Sequence, residues 1–272
     1  MTYLRPIRPL DIGPVDRAPI VESAPAFGML SPVELCVDED YQRGLSERSR
    51  RLIAKIVAKW DWARFKPPIV VNVDGAWHIV DGQHTAIAAA THGGIDKIPV
   101  MIIGAKDTES RARAFVGHNR DRVAVTPIQI HHAAVAAGDE DALTIEQVCK
   151  RAGVTLLPCG SKDGVYEIGA TTAISTIRTL VARRGAMGAR QALEALVIGE
   201  CAPIAADDIK AAEELLHGKE YKGTFAVTEL GAIFRASRSS GALEPSIIQL
   251  AMSKKIPRWR AMVIFLFNRS KR

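Results

Sequence analysis

Asp81-Gly82-Gln83-His84-Thr85 gathers a carboxylate, an amide, an imidazole and a hydroxyl around one glycine. An imidazole that titrates near neutrality beside a carboxylate can move a proton or hold a metal, so Asp81 and His84 are the candidate catalytic residues. The glycine serves another purpose, because a missing side chain lets a ligand approach the backbone. An alanine-rich helix follows from about His84 to Thr91. Its N-terminus offers free N–H groups and the positive end of a dipole, a seat for a phosphate. Two readings stay open at this point: a ligand loop, or a turn with an N-cap.

A second set of polar residues, His118-Asn119-Arg120-Asp121-Arg122, lies further along the chain. A two-metal site wants two carboxylates, and only Asp81 stands inside the first motif. Asp121 is the other candidate, and it is equally a partner for Arg120 or Arg122. His131-His132 at a helix start reads either as a third element of a site or as one core and one surface histidine. No complete catalytic set emerges, and no metal site is expected. The four cysteines, at 36, 149, 159 and 201, form no CxxC pair, which argues against zinc ribbons and thioredoxin-type redox chemistry.

The elements that position these groups follow from local pattern. Residues 1–30 contain Pro6, Pro9, Pro14, Pro19 and Pro25 and read as an extended arm. Ser46 to Trp60 reads as a helix, with Leu52, Ile53, Ile56, Val57 and Trp60 recurring at helical steps until Pro67-Pro68 stops it. Ile69–Val73 and Ala76–Val80 read as strands around Asp74-Gly75, a type I′ hairpin pair. Ile98–Ile103 reads as another strand and Ser110–His118 as a helix. Thr126-Pro127 supplies an N-cap followed by proline and starts a helix to about Ala137. Thr144 to Gln147 has capping-box spacing and is expected to open a helix ending at Gly153. Val154–Pro158 and Val165–Ile168 are expected to pair, and Thr171–Ala182 is amphipathic. Four or five more short helices follow. The fold class is therefore α+β: a small mixed sheet with helices over 31–123, then an all-helical domain over 124–272.

The chain has 272 residues, 47% hydrophobic and 24% charged, which excludes a mainly disordered protein. Its 36 basic and 30 acidic side chains leave a formal charge of +6, and the distribution is more informative than the total. Residues 43–66 carry eight Lys/Arg against two acids, and residues 245–272 carry seven against none. Residues 200–220 reverse this, with six acids and two lysines. Such segregation suits one anion-facing surface. Arg43, Arg48 and Arg51 are candidate DNA contacts in the first basic cluster. The apolar run 262–267 is far too short for a membrane span. Without a disulfide framework or a leader signal, a cytoplasmic location is expected.

The run from about Ser31 to His132 resembles the ParB-like N-terminal domain of the ParB/sulfiredoxin superfamily, in its DGQHR-type variant. Three features carry the resemblance in order: a helix leading into Pro67-Pro68-Ile69-Val70-Val71, then Ile79-Val80-Asp81-Gly82-Gln83-His84 where ParB has G-E-R-R, then His118-Asn119-Arg120-Asp121-Arg122 before Val125-Thr126-Pro127. In ParB partition proteins the G-E-R-R arginines grip nucleotide phosphates, and the later E-N segment helps hold magnesium. Here Gln83, His84 and Thr85 replace E-R-R, and His118 replaces the glutamate. That weakens the case for a magnesium nucleotide, since imidazole is a poor ligand for a hard cation. Sulfiredoxin chemistry is excluded, because its cysteine position is Gln83.

The resemblance implies a ParB-like DNA-associated binding or regulatory protein, of the kind found on plasmids, phages or other mobile elements. The ligand set it implies is Gly82, Gln83, His84 and Thr85 facing Asn119, Arg120 and Arg122. A nucleotide with a divalent cation is the candidate cofactor, DNA and a nucleotide are the candidate partners, and a homodimer is the candidate assembly. In ParB a helix-turn-helix follows at this point, and Thr144–Val154 looks like its first helix and turn. The recognition helix would be Thr171–Arg184, with Thr172, Ser175, Arg178, Arg183 and Arg184 as contacts. The alternative function is a metal-dependent nuclease, or a nucleotide phosphohydrolase or phosphotransferase, using the same cleft.

Overall fold

The computed structural model describes residues 6–17, 20, 24–38, 44–105, 107–120, 124–161, 163–221 and 223–271. The chain forms two compact units, 1–123 and 124–272.

The first unit is built on a mixed five-stranded sheet. In chain order its elements are β1 (Ala26–Leu30), β2 (Leu35–Val37), α1 (Glu47–Ala58), β3 (Ile69–Val73), β4 (Ala76–Asp81), α2 (Gln83–His92), β5 (Ile98–Ile102) and α3 (Thr108–Arg120). The sheet order is β1-β5-β3-β4-β2. β1 runs antiparallel to β5 and β3 antiparallel to β4, while β3–β5 and β2–β4 are parallel. Asp74 (φ 51°) and Gly75 (φ 91°) both take positive φ in the β3–β4 turn, as a type I′ turn demands. The expected arm thus ends earlier than residue 30, since Ala26–Leu30 pairs along β5 as an edge strand. Residues 6–17 carry no regular element and are exposed.

Both faces of the sheet are covered, which is why β3 reads as a continuous apolar run. Val70, Ile79, Ile98 and Val100 pack with Ala86 and Ala89 of α2. Ile69, Val71 and Val80 face the other way, toward Ala114 and Phe115 of α3. Alanines at the buried positions of α2 let its backbone lie close to the strands. α1 is capped by Ser46, whose hydroxyl accepts from the Ser49 N–H at 3.1 Å.

The second unit contains α4 (Pro127–Ala136), α5 (Glu140–Ala152), β6 (Thr155–Leu156), β7 (Ala170–Thr171), α6 (Ile174–Ile198), α7 (Ala206–His217), α8 (Val227–Ser239), α9 (Leu243–Lys254) and α10 (Arg258–Ser270). Leu180, Leu193, Leu196, Ile209, Leu215, Phe234 and Leu266 are essentially fully buried and form its core. At about 1.5–3 kcal/mol per buried large apolar side chain, this cluster dominates the unit's cohesion. The Thr126–Gln129 capping box forms as expected.

Three expectations for this unit are corrected. The helix expected to open at Thr144 starts at Glu140, because Asp139 caps it through Ala142 N–H at 2.9 Å and Glu140 and Asp141 favour its positive end. The strand expected over Val165–Ile168 does not form. Thr155–Leu156 pairs instead with Ala170–Thr171, in parallel, while Val165 and Ile168 are exposed. Thr171 wins that place because its hydroxyl, fully buried, donates to the Ile204 carbonyl at 2.7 Å. The helix expected from Thr171 begins at Ile174, runs to Ile198 and is broken at Gly185 (φ 66°, ψ 178°). Residues 153–173 separate α5 from α6, so these two helices do not make a plain helix-turn-helix with its three- to four-residue turn.

His131 is fully buried and His132 exposed, so the pair is one core and one surface histidine. His131 Nε2 lies 3.0 Å from Glu146 Oε1, tying α4 to α5. No helix of the described residues is long and apolar enough to cross a membrane.

Candidate functional site

The polar loop sits where β4 ends and α2 begins. A register shift between Ile69 and Val70 places Ile69 opposite Asp81 and Val70 opposite Ile79, so β4 carries an extra residue just before the loop. Gly82 then turns the chain in the left-handed region (φ 94°, ψ 17°). The Asp81 carboxylate accepts from the Gly82 N–H at 2.9 Å and lies 3.9 Å from the Lys66 ammonium. The Gly82 carbonyl accepts from Thr85 and Ala86 N–H at 3.0 and 3.1 Å. The first-turn N–H groups of Gln83 and His84 have no intrahelical acceptor, which makes this helix end attractive to an anion. Gln83, His84 and Thr85 are all half-buried.

Beside the loop is a cleft of about 280 Å³ whose wall includes Thr85. Leu52, Lys55, Ile56 and Lys59 line it from α1 and its C-cap, on one helical stripe. Arg64, Phe65 and Lys66 complete it after the short 3₁₀ turn Trp62–Arg64. Four cations thus face the cleft against a single carboxylate, Asp61, which is occupied in capping that turn through Ala63 N–H at 2.9 Å. Trp60 and Phe65 give it an aromatic side, with ring centroids 5.6 Å apart.

The second polar set is carried at the end of α3, which packs on the sheet through Ala114 and Phe115. His118 lines a different cleft, with Ile103, Gly104, Ser110 and Arg113, and the two clefts share no lining residue. Asn119 is exposed and donates its amide to the Phe115 carbonyl at 2.9 Å, within its own helix. Arg120 is exposed. Asp121 and Arg122 lie outside the described residues, as does Arg43. Among the described residues, the charge beside Thr85 comes from α1 and the following turn.

Among the described residues the donor set does not assemble a site for the divalent cation that the resemblance implies. Asp81 accepts from the Gly82 N–H and lies 3.9 Å from the Lys66 ammonium. Among the described residues no group of three or more His, Cys, Asp or Glu is placed to hold a metal.

Of the expected DNA contacts, Arg48 and Arg51 are exposed on α1, and Arg178 is exposed on α6. Arg183 is 65% exposed and 3.9 Å from Glu213. Arg184 differs: it donates to Glu213 Oε1 at 2.8 Å and to the His217 carbonyl at 3.2 Å, so it braces α6 on α7. Lys55, Lys59, Arg64 and Lys66 were visible in the sequence only as part of a basic cluster. The three- and four-residue steps from Leu52 through Lys55 to Lys59 were the signal that they share a wall.

No protein-family model matches the chain, and no curated protein matches it. Among solved structures, the chain is similar to the C-terminally truncated chromosome-partitioning protein ParB from Caulobacter crescentus complexed with CTP-γ-S, at 12% identity and a TM-score of 0.40, covering 70% of this chain and 98% of that one. The same protein complexed to the centromeric parS site matches at 15% identity and a TM-score of 0.27, covering 77% and 99%. A Pnob8-like ParB-N domain matches at 12% identity and a TM-score of 0.29, covering 85% and 87%. All three TM-scores are low.

Proposed function

We propose that this protein is a ParB-like DNA-associated binding or regulatory factor of a mobile element, and that its first unit holds a phosphate-bearing ligand at the Asp81–Thr85 loop. The observation that carries the reading is the cleft itself. The cations Lys55, Lys59, Arg64 and Lys66 line it together with Thr85, which belongs to the first turn of α2 just after the Gly82 turn. An apolar ligand has no use for four cations, and an anion without an aromatic part has no use for Trp60 and Phe65. A nucleotide, free or in a strand, satisfies both. The order of the three motif regions along the chain supports placing the protein with ParB-like factors, and exposed Arg48 and Arg51 extend the basic stripe of α1 toward nucleic acid.

Calorimetric titration with CTP, ATP and a short duplex tests this, on wild type and on Lys55→Ala with Lys59→Ala, His84→Ala and Arg120→Ala. The expected result is binding by wild type, tenfold or greater loss in the double lysine variant, and an affinity that falls steeply with salt. Equal binding by wild type and every variant removes the cleft as the site. Absence of any binding at low salt removes the function. The enzyme alternative gains support only from metal-dependent release of phosphate or nucleotide.

A further inference from the structure

The second unit has a cleft of its own, about 430 Å³, between α6, α7 and α10. One wall is the outer stripe of α6, where Ser175, Thr179 and Arg183 follow each other at four-residue steps. The Thr179 hydroxyl donates to the Ser175 carbonyl at 3.0 Å, which leaves its oxygen free to accept. Lys210 and Glu214 enter from α7, and the half-buried Trp259 from α10. The Arg260 guanidinium lies 5.2 Å from the Trp259 ring centroid. Glu213 also borders the cleft, but its side chain is only 8% exposed and is bound by Arg184. The two remaining cations are loosely held: Arg183 is 3.9 Å from Glu213, and Lys210 is 4.0 Å from Asp207.

We propose that this cleft binds one unstacked nucleotide. The base lies against the Trp259 indole, Arg183 and Lys210 meet the phosphate, and the Ser175 hydroxyl and Glu214 carboxylate accept from sugar or base donors. Each group excludes a simpler occupant. Inorganic phosphate has no use for the indole, an apolar ligand is disfavoured by the cations, and an acidic peptide is opposed by Glu214. The volume falls within the range of small-ligand sites. A free nucleotide and a nucleotide of a single strand share this chemistry. None of these residues belongs to the loop at Asp81–Thr85, so the two sites stand or fall separately.

The test uses the full chain with two probes, thymidine monophosphate and a labelled short oligothymidylate, read by intrinsic tryptophan emission and by anisotropy. Wild type is expected to bind with quenched emission. Trp259→Ala is expected to weaken binding by about five- to a hundredfold, the range for removal of one base–aromatic stack. Trp259→Phe is expected to bind while losing part of the quench. Arg183→Ala with Lys210→Ala is expected to weaken binding and lower the salt slope by about one for each phosphate that is no longer neutralised. Binding of the oligonucleotide alone makes a strand the source, and binding of both probes makes the free nucleotide sufficient. The proposal is overturned if wild type binds neither probe, or if a folded Trp259→Ala binds like wild type. Should Trp259→Ala fail to fold, unchanged affinity in the Arg183→Ala, Lys210→Ala variant overturns it equally. Loss of binding in Lys59→Ala, with retention in all Trp259 variants, also overturns it.

Discussion

Gly82 lies so close to Pro68 that a Cβ on the glycine would come 2.8 Å from the Pro68 Cα and 3.1 Å from its Cβ. α1 has already ended at Ala58, so Pro68 serves instead as the lead into β3, and it forms one packed junction with the turn that opens α2. The loop is glycine-dependent twice over, by its φ of 94° and by this close approach.

Gly82→Ala is therefore expected to destabilise the first unit by about 2 kcal/mol or more, combining left-handed strain with a steric clash against backbone. It should also reduce affinity for phosphate-bearing ligands, because the first turn of α2 is displaced. Urea denaturation and the titration above measure both effects. A variant with wild-type stability would show that the junction is not packed in this way.

Gly185→Ala separates the strain from the clash. Gly185 has φ 66° and ψ 178°, a region open essentially to glycine alone, yet nothing lies within 4 Å of its Cβ position. The expected cost is about 1–3 kcal/mol of backbone strain with no clash. A neutral or stabilising substitution, measured by thermal unfolding, would mean that α6 is continuous through residue 185.

Glu146→Ala should leave the fully buried His131 without the partner of its Nε2, at a cost of about 1–3 kcal/mol. Chemical denaturation of the variant checks this, and an unchanged midpoint would show that the pair contributes nothing.

Asp208 gives a pH dependence with a defined sign. Burial pushes its carboxyl above the ordinary value of 3.8, against the attraction of Arg238, whose Nη2 lies 2.7 Å from Oδ1. A carboxyl with a raised folded pKa holds its proton more tightly in the folded state. Its contribution is most favourable to folding below the unfolded value and declines as pH rises through the folded one. Relative to Asp208→Asn, the wild-type urea midpoint should fall as pH rises from about 4 and then level off. The opposite slope would refute this account.

The cysteines divide by accessibility. Cys36 and Cys159 are exposed, whereas burial pushes the Cys149 and Cys201 thiols up to about 12, helped by Glu146 and Asp208 respectively. Only the thiolate reacts, so a thiol-disulfide reagent at neutral pH should modify Cys36 and Cys159 in the native protein and all four in denaturant. Rapid native labelling of Cys149 or Cys201, located by mass spectrometry, would contradict the burial.

The features legible in the sequence were those set by neighbours along the chain. Asp74-Gly75 determined the β3–β4 hairpin, because a two-residue turn with both φ positive admits few residue pairs. Thr126-Pro127 and Ser46 placed helix starts, because a cap bonds to an N–H three residues away. The glycine at the strand-to-helix junction, Gly82, belongs to the same class.

What the tertiary structure decided depends on residues far apart in the chain. Leu156 pairs with Thr171 because the buried Thr171 hydroxyl reaches Ile204, 33 positions on, an interaction no local pattern encodes. Arg184 reads as a surface residue until Glu213, 29 positions on, is brought beside it. The basic residues near Arg64 and the threonine at position 85 were both visible, yet only folding makes them walls of one cleft. Local sequence sets dihedrals and caps over a few residues. Which charges share a cavity depends on how the helices pack on the sheet, and that is settled by burial over the whole unit.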